Sequence, residues 1–445
     1  MSEAVGRSPI HRIIATFSRA VEALQLGVPP LFVERWGIAV HQCLSSRARE
    51  FHTHQHVLEL VEGADPLETL GALYHDTVYV QVDLGVPEHF ASLLQPLIRK
   101  EEAGWRILPH AGKDPAASEV LAVFGRKANE VLTPFTGLNE LASALVAIKE
   151  LEGVLSRNQL LAVAACIEGT IPFREDRAFD TLAERLRGLG VPEAEAADMV
   201  RRAVRLSNND VGNFADADPA RFLDNTWKLL PETNPALHTA SAYSVREYRV
   251  ALMKMEGFLA QLPPERVFRQ WGGEPPKAAF EARREAARRN MALGVRYLRC
   301  KLYSTAMVEA LTAESGGDVP LDYFMGGLPE PGGPVMKRVE QYLPQPRPAR
   351  DVDMGLLQLL KGGRATPSSF DISPSPLATF LYLAQGEASV MAGVEVAQSW
   401  WAGKVTGREF LSSQPRDSVV GLAEAATHIA DTRAEALREL VKLLK

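Results

Sequence analysis

The chain has 445 residues, with 49 Lys and Arg against 55 Asp and Glu for a formal charge of −6; 46% of residues are hydrophobic and 23% charged. That balance excludes a disordered or fibrous chain and argues against bulk attraction to nucleic acid or an anionic membrane. No window reaches the roughly 18 apolar residues of a spanning helix, no signal-peptide pattern opens the chain, and Cys43, Cys166 and Cys300 have no metal-type spacing, so a cytoplasmic protein with reduced, packed thiols is expected.

Helical periodicity dominates from the start. Ile13, Ile14, Phe17, Val21 and Leu24 share one face of a helix over residues 10–26, followed by shorter candidates over 34–44 and 51–61. Further helices are expected over 67–80, 86–98, 117–131 and 138–155. The apolar run LLAVAACIE within 158–168 reads as a buried helix ended by Gly169 and Pro172. Residues 176–189 and 193–206 form a helical pair around GLGVP, and SNNDVGNFADADP reads as a polar turn leading into a less regular connection ending near Pro235. Two long helices follow over 245–262 and 277–311. The Gly- and Pro-rich strings GGLPEPGGPV, QPRPAR and GGRATPSSFDISPSP read as linkers or wrapping segments rather than core, and helices over 377–400 and 418–444 close the chain. With β-branched residues dispersed, the expected class is all-α, divided into 1–232, 233–345 and 346–445.

Of only ten histidines, five lie between positions 41 and 75. His52 and His56, four apart, would share one face of a helix, with His54 pointing elsewhere. His75 and Asp76 end the apolar stretch LGALYHD, long enough to return them against the first helix. Neutral imidazole and carboxylate converging from separate elements suit a divalent ion such as Zn, Mn, Fe or Ni. Asp210, in the polar turn of LSNNDVGNF, is the candidate fourth ligand, with Asp216 and Asp218 competing. A purely structural reading stands beside this one: His75 offsetting a helix dipole, His52 capping or packing, Asp210 forming an Asx-turn.

The strings FHTHQHV and LYHDTVY, followed by IEGTIPF and NNDVGNF, resemble the HD superfamily of metal-dependent phosphohydrolases over about residues 30–230. The resemblance implies an HD-domain-like helical bundle with an appended C-terminal helical region. It implies a divalent metal ion (Mn, Fe, Ni, Zn or Mg) on His56, His75, Asp76 and Asp210, with His52 a further candidate. The implied reaction is hydrolysis of a small phosphorylated molecule, a nucleotide among them. Glu88, an acidic residue soon after the doublet, is the implied general acid or base, and Asp83 is its alternate. Arg174, after a buried helix end, and Lys127 are candidate phosphate binders.

Two departures matter. Tyr79 and Val80 stand where pyrophosphate-cleaving members carry an acidic pair, and Ile171, Pro172 and Phe173 replace an expected histidine, which would suit a less polar ligand. Rival readings are a non-catalytic HD-fold protein binding a ligand or partner through its C-terminal half, and an HD-type diiron oxygenase using His89 and His110. The arginine-rich stretch of 277–301 reads as an internally paired helix face or an anion-binding one. The adjacent Trp400 and Trp401 are candidates for an interface between domains or in a homo-oligomer.

Overall fold

In the computed structural model, which describes residues 6–239, 241–328 and 334–444, 64% of the chain is helical and the β structure is one three-stranded sheet. The all-α class expected from periodicity holds. Contacts divide the chain into two compact units: residues up to 215 with 263–287, and residues 216–262 with 288 onward. The composition shift near 232 therefore does not coincide with the first boundary, and a stretch downstream of it returns to the first unit.

The first unit opens with α1 (Pro9–Ala23) and α2 (Pro30–Leu44), each started by a proline whose missing N–H costs nothing in the first helical turn. Phe17 of α1 packs against the rings of Trp36 and Tyr74, with centroids 6.2 and 5.6 Å apart. Next come α3 (His54–Leu60) and α4 (Pro66–Tyr74). Asp65 caps α4 by accepting from the Leu67 and Glu68 N–H groups while Glu68 accepts from the Asp65 N–H, a capping box worth about 1 kcal/mol. Then follow α5 (Glu88–Leu94), the hairpin β1 (Ile98–Glu101) and β2 (Gly104–Ile107), α6 (Pro115–Phe124), β3 (Val131–Leu132), α7 (Leu138–Leu151), α8 (Arg157–Gly169), α9 (Ala178–Gly188) and α10 (Glu193–Asp210). The sheet is antiparallel, pairing Ile98 with Ile107 and Trp105 with Leu132.

Every residue from Leu161 to Gly169 is buried, as the apolar run predicts, because α4, α6, α7, α9 and α10 all contact α8. Gly71 sets how closely α4 approaches it: a Cβ there would lie 2.7 Å from the Cys166 Cβ. Gly169 does the same toward α10, where a Cβ would meet the Ala203 carbonyl oxygen at 2.8 Å.

The second unit contains α11 (Pro219–Thr233), α12 (Val245–Gln261), the part of α13 (Lys277–Ser315) from 288 on, α14 (Leu321–Met325), α15 (Met354–Gly362), α16 (Pro376–Gln385), α17 (Glu387–Trp401), α18 (Gly407–Ser413), α19 (Arg416–Ala426) and α20 (Ala434–Leu444). Arg296 pairs with Glu387 and Asp353, and Arg299 with Glu256, so these two arginines of the basic stretch are paired with other elements rather than within α13. Trp400 stacks on Phe410 and Trp401 donates to Glu309, both within this unit.

Several expectations change. The helix expected over 67–80 stops at Tyr74 because α7 captures the backbone beyond it: Val78 N–H donates to Ser143 Oγ at 3.0 Å and Val80 N–H to Asn139 Oδ1 at 3.1 Å. The hairpin within 98–107 escapes notice because its strands are four residues long and poor in β-branched side chains. Residues 219–233, expected as a connection, are helical, started by the Asp218 cap and Pro219. The stretch expected to be one helix over 377–400 breaks at Gly386, where φ is +80°. The 362–376 string is not a linker: Arg364, Phe370, Asp371 and Ser375 are buried. Part of GGLPEPGGPV, residues 329–333, lies outside the described residues. All three cysteines are unpaired and buried, and no described helix is long and apolar enough to cross a membrane.

Candidate metal centre

Three helix ends converge in the first unit. The first turn of α3 supplies His56, the end of α4 supplies His75 and Asp76, and the last residue of α10 is Asp210. His56 Nε2 lies 3.0 Å from Asp210 Oδ1 and 3.8 Å from Asp76 Oδ2; His75 Nε2 lies 3.0 Å from Asp76 Oδ2 and 3.4 Å from Asp210 Oδ1. Single ligand atoms of His56, His75 and Asp210 all fall within 4.8 Å of one another. Donors held at about 2.0–2.2 Å from one ion stand about 3.0–3.5 Å apart, a range that three of these four separations meet and His56–Asp76 exceeds.

Two further observations favour that fit. His75 Nδ1 donates to the Ala72 carbonyl at 2.8 Å, which leaves Nε2 as the donor atom facing the cluster. His75 Nε2 and Asp76 Oδ2 are both buried yet make no hydrogen bond with each other or with any other group, despite their proximity. Buried polar atoms are rarely left so, and a cation between them would satisfy both.

The electrostatics are those of a tightly packed charge cluster. Burial by itself favours neutral His75, but Asp76 and Asp210 overcome it and raise its pKa well above the ordinary imidazole value. Burial opposes ionisation of Asp76, yet His75, His52 and His56 hold its carboxyl far below the usual range. Asp210, similarly buried, is brought down to about 2 by the hydrogen bond to His56 and the adjacent His75 ring.

His52 does not share a helical face with His56, because α3 starts two residues later, after Thr53. Its ring instead lies tilted 4.3 Å from that of Tyr79 and edge-on 6.2 Å from that of His56, at the edge of the cluster. Asp210 lies not in a turn but at the end of α10, which runs four residues beyond Leu206, the expected end. Asp216 is paired with Arg221 and Asp218 caps α11, so the competitors are otherwise engaged.

The remaining candidates have other surroundings. Asp83 forks onto Arg49 at 3.1 and 2.5 Å, and Arg49 in turn donates to the carbonyl oxygens of Asp76 at 2.6 Å and His52 at 3.4 Å. Asp83 thus anchors the guanidinium that fixes the backbone of Asp76. Glu88 is exposed at the start of α5, and Lys127 is exposed with its backbone N–H donated to Glu130. Arg174 is committed to the buried Glu168 at 2.5 and 3.1 Å. His89 and His110 are exposed and outside the His56, His75 and Asp210 group.

Two residues were not singled out by sequence. Arg49 sits in an unremarkable RARE string and is revealed only by its four hydrogen bonds. Glu140 is an acidic residue in the first turn of α7, flanked by the buried Leu138, Asn139, Leu141 and Ala142. Burial pushes its carboxyl up to about 7, with Asp76 and Asp210 adding to the effect and His75 opposing it, and its Oε2 has no hydrogen-bond partner. No protein family, curated protein or solved structure matches the chain.

Proposed function

We propose that the first unit is a metal-dependent phosphohydrolase of HD type, acting on a small phosphomonoester. The observation that carries this reading is the convergence of two imidazoles and two carboxylates, drawn from positions 56 to 210, with unsatisfied buried donor atoms among them. His56, His75, Asp76 and Asp210 would hold the ion. A divalent ion there supplies Lewis acidity to a phosphoryl oxygen and lowers the pKa of water, the two requirements of ester hydrolysis at neutral pH.

The chain's own groups have separate tasks. Arg49, locked by Asp83, keeps the Asp76 backbone in place. Glu140, with a buried Oε2 that has no hydrogen-bond partner and a carboxyl that burial pushes up to about 7, is the candidate to deliver a proton to the leaving alkoxide. This role replaces the one expected of Glu88, whose side chain is exposed. Tyr79, whose ring lies against His52 and 5.8 Å from the Arg49 guanidinium, occupies the position of an acidic group needed for pyrophosphates, which favours monoesters.

The test is metal content together with turnover. Chelator-stripped protein should bind about one Mn, Fe, Ni, Zn or Mg ion per chain and hydrolyse p-nitrophenyl phosphate or a nucleoside monophosphate only when reloaded. Failure of all five metals to bind stoichiometrically would end the proposal; tight binding without turnover of any ester would leave the non-catalytic alternative.

A further inference from the structure

Two adjacent tryptophans, Trp400 and Trp401, close α17 in the second unit. They line a cavity of about 290 Å³ together with Arg246 and Arg249 of α12, Glu309 of α13 and Asp318 just beyond it. That volume stands at the lower edge of the roughly 300–1,000 Å³ range of small-molecule sites and suits a ligand of one ring.

Both indoles are half-buried and held in place: Trp400 stacks on Phe410 with ring centroids 5.5 Å apart, and Trp401 Nε1 donates to Glu309 at 3.0 Å. A ring already fixed loses little entropy when a ligand stacks on it. Arg249 and Glu309 are buried and joined by a fork at 3.1 and 3.2 Å, with the guanidinium 5.0 Å from the centre of the Trp401 ring. The fork leaves capacity on both partners. Among the described residues, Arg249 Nη1 meets only the Met253 thioether, a weak acceptor, at 3.3 Å, and Glu309 Oε1 accepts a single hydrogen bond. The exposed Arg246 guanidinium makes no hydrogen bond or ion pair among those residues, and Asp318 accepts at one oxygen only, from the Arg246 and Val319 N–H groups. Two guanidiniums thus face two carboxylates, which leaves the walls without net charge but with donors and acceptors both to spare.

We propose that this cavity binds a neutral sugar, a single pyranoside ring laid against the tryptophan pair. An ion would give up its hydration for walls of zero net charge, and a purely apolar molecule would cover the guanidinium and carboxylate edges without bonding them. Ring hydroxyls both donate and accept, so they can serve Arg246 and Arg249 as acceptors and Glu309 and Asp318 as donors while a C–H face of the ring covers an indole. The site shares no residue with the metal centre, and the inference stands whether or not the first unit hydrolyses phosphate esters.

Saturation-transfer NMR on the full-length protein tests this site with methyl β-D-glucopyranoside, whose substituents are all equatorial and leave its C–H faces clear. The comparison compounds are methyl β-D-glucuronide, its anionic counterpart, and methoxycyclohexane, the ring without hydroxyls. Saturable binding of the glucoside is expected with a Kd of about 1–10 mM, both comparison compounds being about tenfold weaker. Transfer should be strongest to the protons of one ring face. Trp400→Leu, Trp401→Leu and Arg246→Ala should each weaken the glucoside by about five- to tenfold. Arg246 is exposed, so Arg246→Ala carries the test if a tryptophan variant fails to fold. No saturable binding of the glucoside, equal or tighter binding of the glucuronide or of methoxycyclohexane, or an affinity unaltered in Arg246→Ala would overturn the proposal.

Discussion

His75 combines three properties that rarely coincide: full burial, a fixed ring orientation and two carboxylates facing one nitrogen. In the metal-free protein, the carboxylates favour the imidazolium, so a metal must displace a proton from it. Apparent affinity should therefore rise with pH across the neutral range, approaching tenfold per unit, and a flat pH profile in a competition titration would contradict proton displacement. His75→Ala and Asp210→Ala should each abolish binding of one ion while preserving the helical circular-dichroism spectrum. Glu140 works in the opposite sense to the paired aspartates. Its carboxyl is raised from 4.5 to about 7, so folding is unaffected by it below about pH 4, is progressively penalised as the unfolded state ionises first, and bears the full cost above about pH 7. At about 1.4 kcal/mol per unit, Glu140→Gln should stabilise metal-free protein by about 3 kcal/mol at pH 8 and negligibly at pH 4. An equal gain at both values in denaturant melts would disprove the burial effect.

At the scale of elements, the site depends on a staple between the start of α3 and the end of α4. Arg49 holds the carbonyls of His52 and Asp76 together and is itself held by Asp83. Because the Arg49 side chain is fully buried, Asp83→Ala would leave an unpaired interior cation, at a cost of about 3–5 kcal/mol. Stability and metal affinity should fall together in this variant. A variant that lost turnover with both unchanged would instead make Asp83 the proton carrier. The approach of α4 to α8 sets the height of the His75 and Asp76 end, and Gly71→Ala, with its Cβ driven toward Cys166, should cost about 1–3 kcal/mol in a denaturant melt. The helices bearing the site are legible in sequence because apolar spacing and proline starts mark them. Their ends are less so: α4 stops where Ser143 and Asn139, more than fifty residues away, take the backbone N–H groups.

At the scale of the whole molecule, the first unit is discontinuous, and residues 263–287 return to it after an excursion into the second. Asn208, two residues before Asp210, exchanges a pair of 2.8 Å hydrogen bonds with the backbone of Arg269, while Arg269 also bonds Asp176 and the Arg174 carbonyl. The returning segment thereby fixes the last turn of α10. Asn208→Ala should cost about 1–3 kcal/mol by leaving the Arg269 backbone unsatisfied, and should weaken metal binding without touching a ligand. Unchanged affinity in a metal titration would show that α10 holds Asp210 unaided. Sequence by itself determined the helical class and the buried α8, and it singled out His56, His75, Asp76 and Asp210 as candidates, because periodicity and side-chain chemistry are local properties. Only the tertiary structure decided that Asp83 anchors Arg49, that Arg174 belongs to Glu168, that burial raises the Glu140 carboxyl and that Arg364, Phe370, Asp371 and Ser375 are buried. Each of those depends on which charge or hydrogen-bond donor a distant part of the chain brings alongside, and on how much water the packing leaves there.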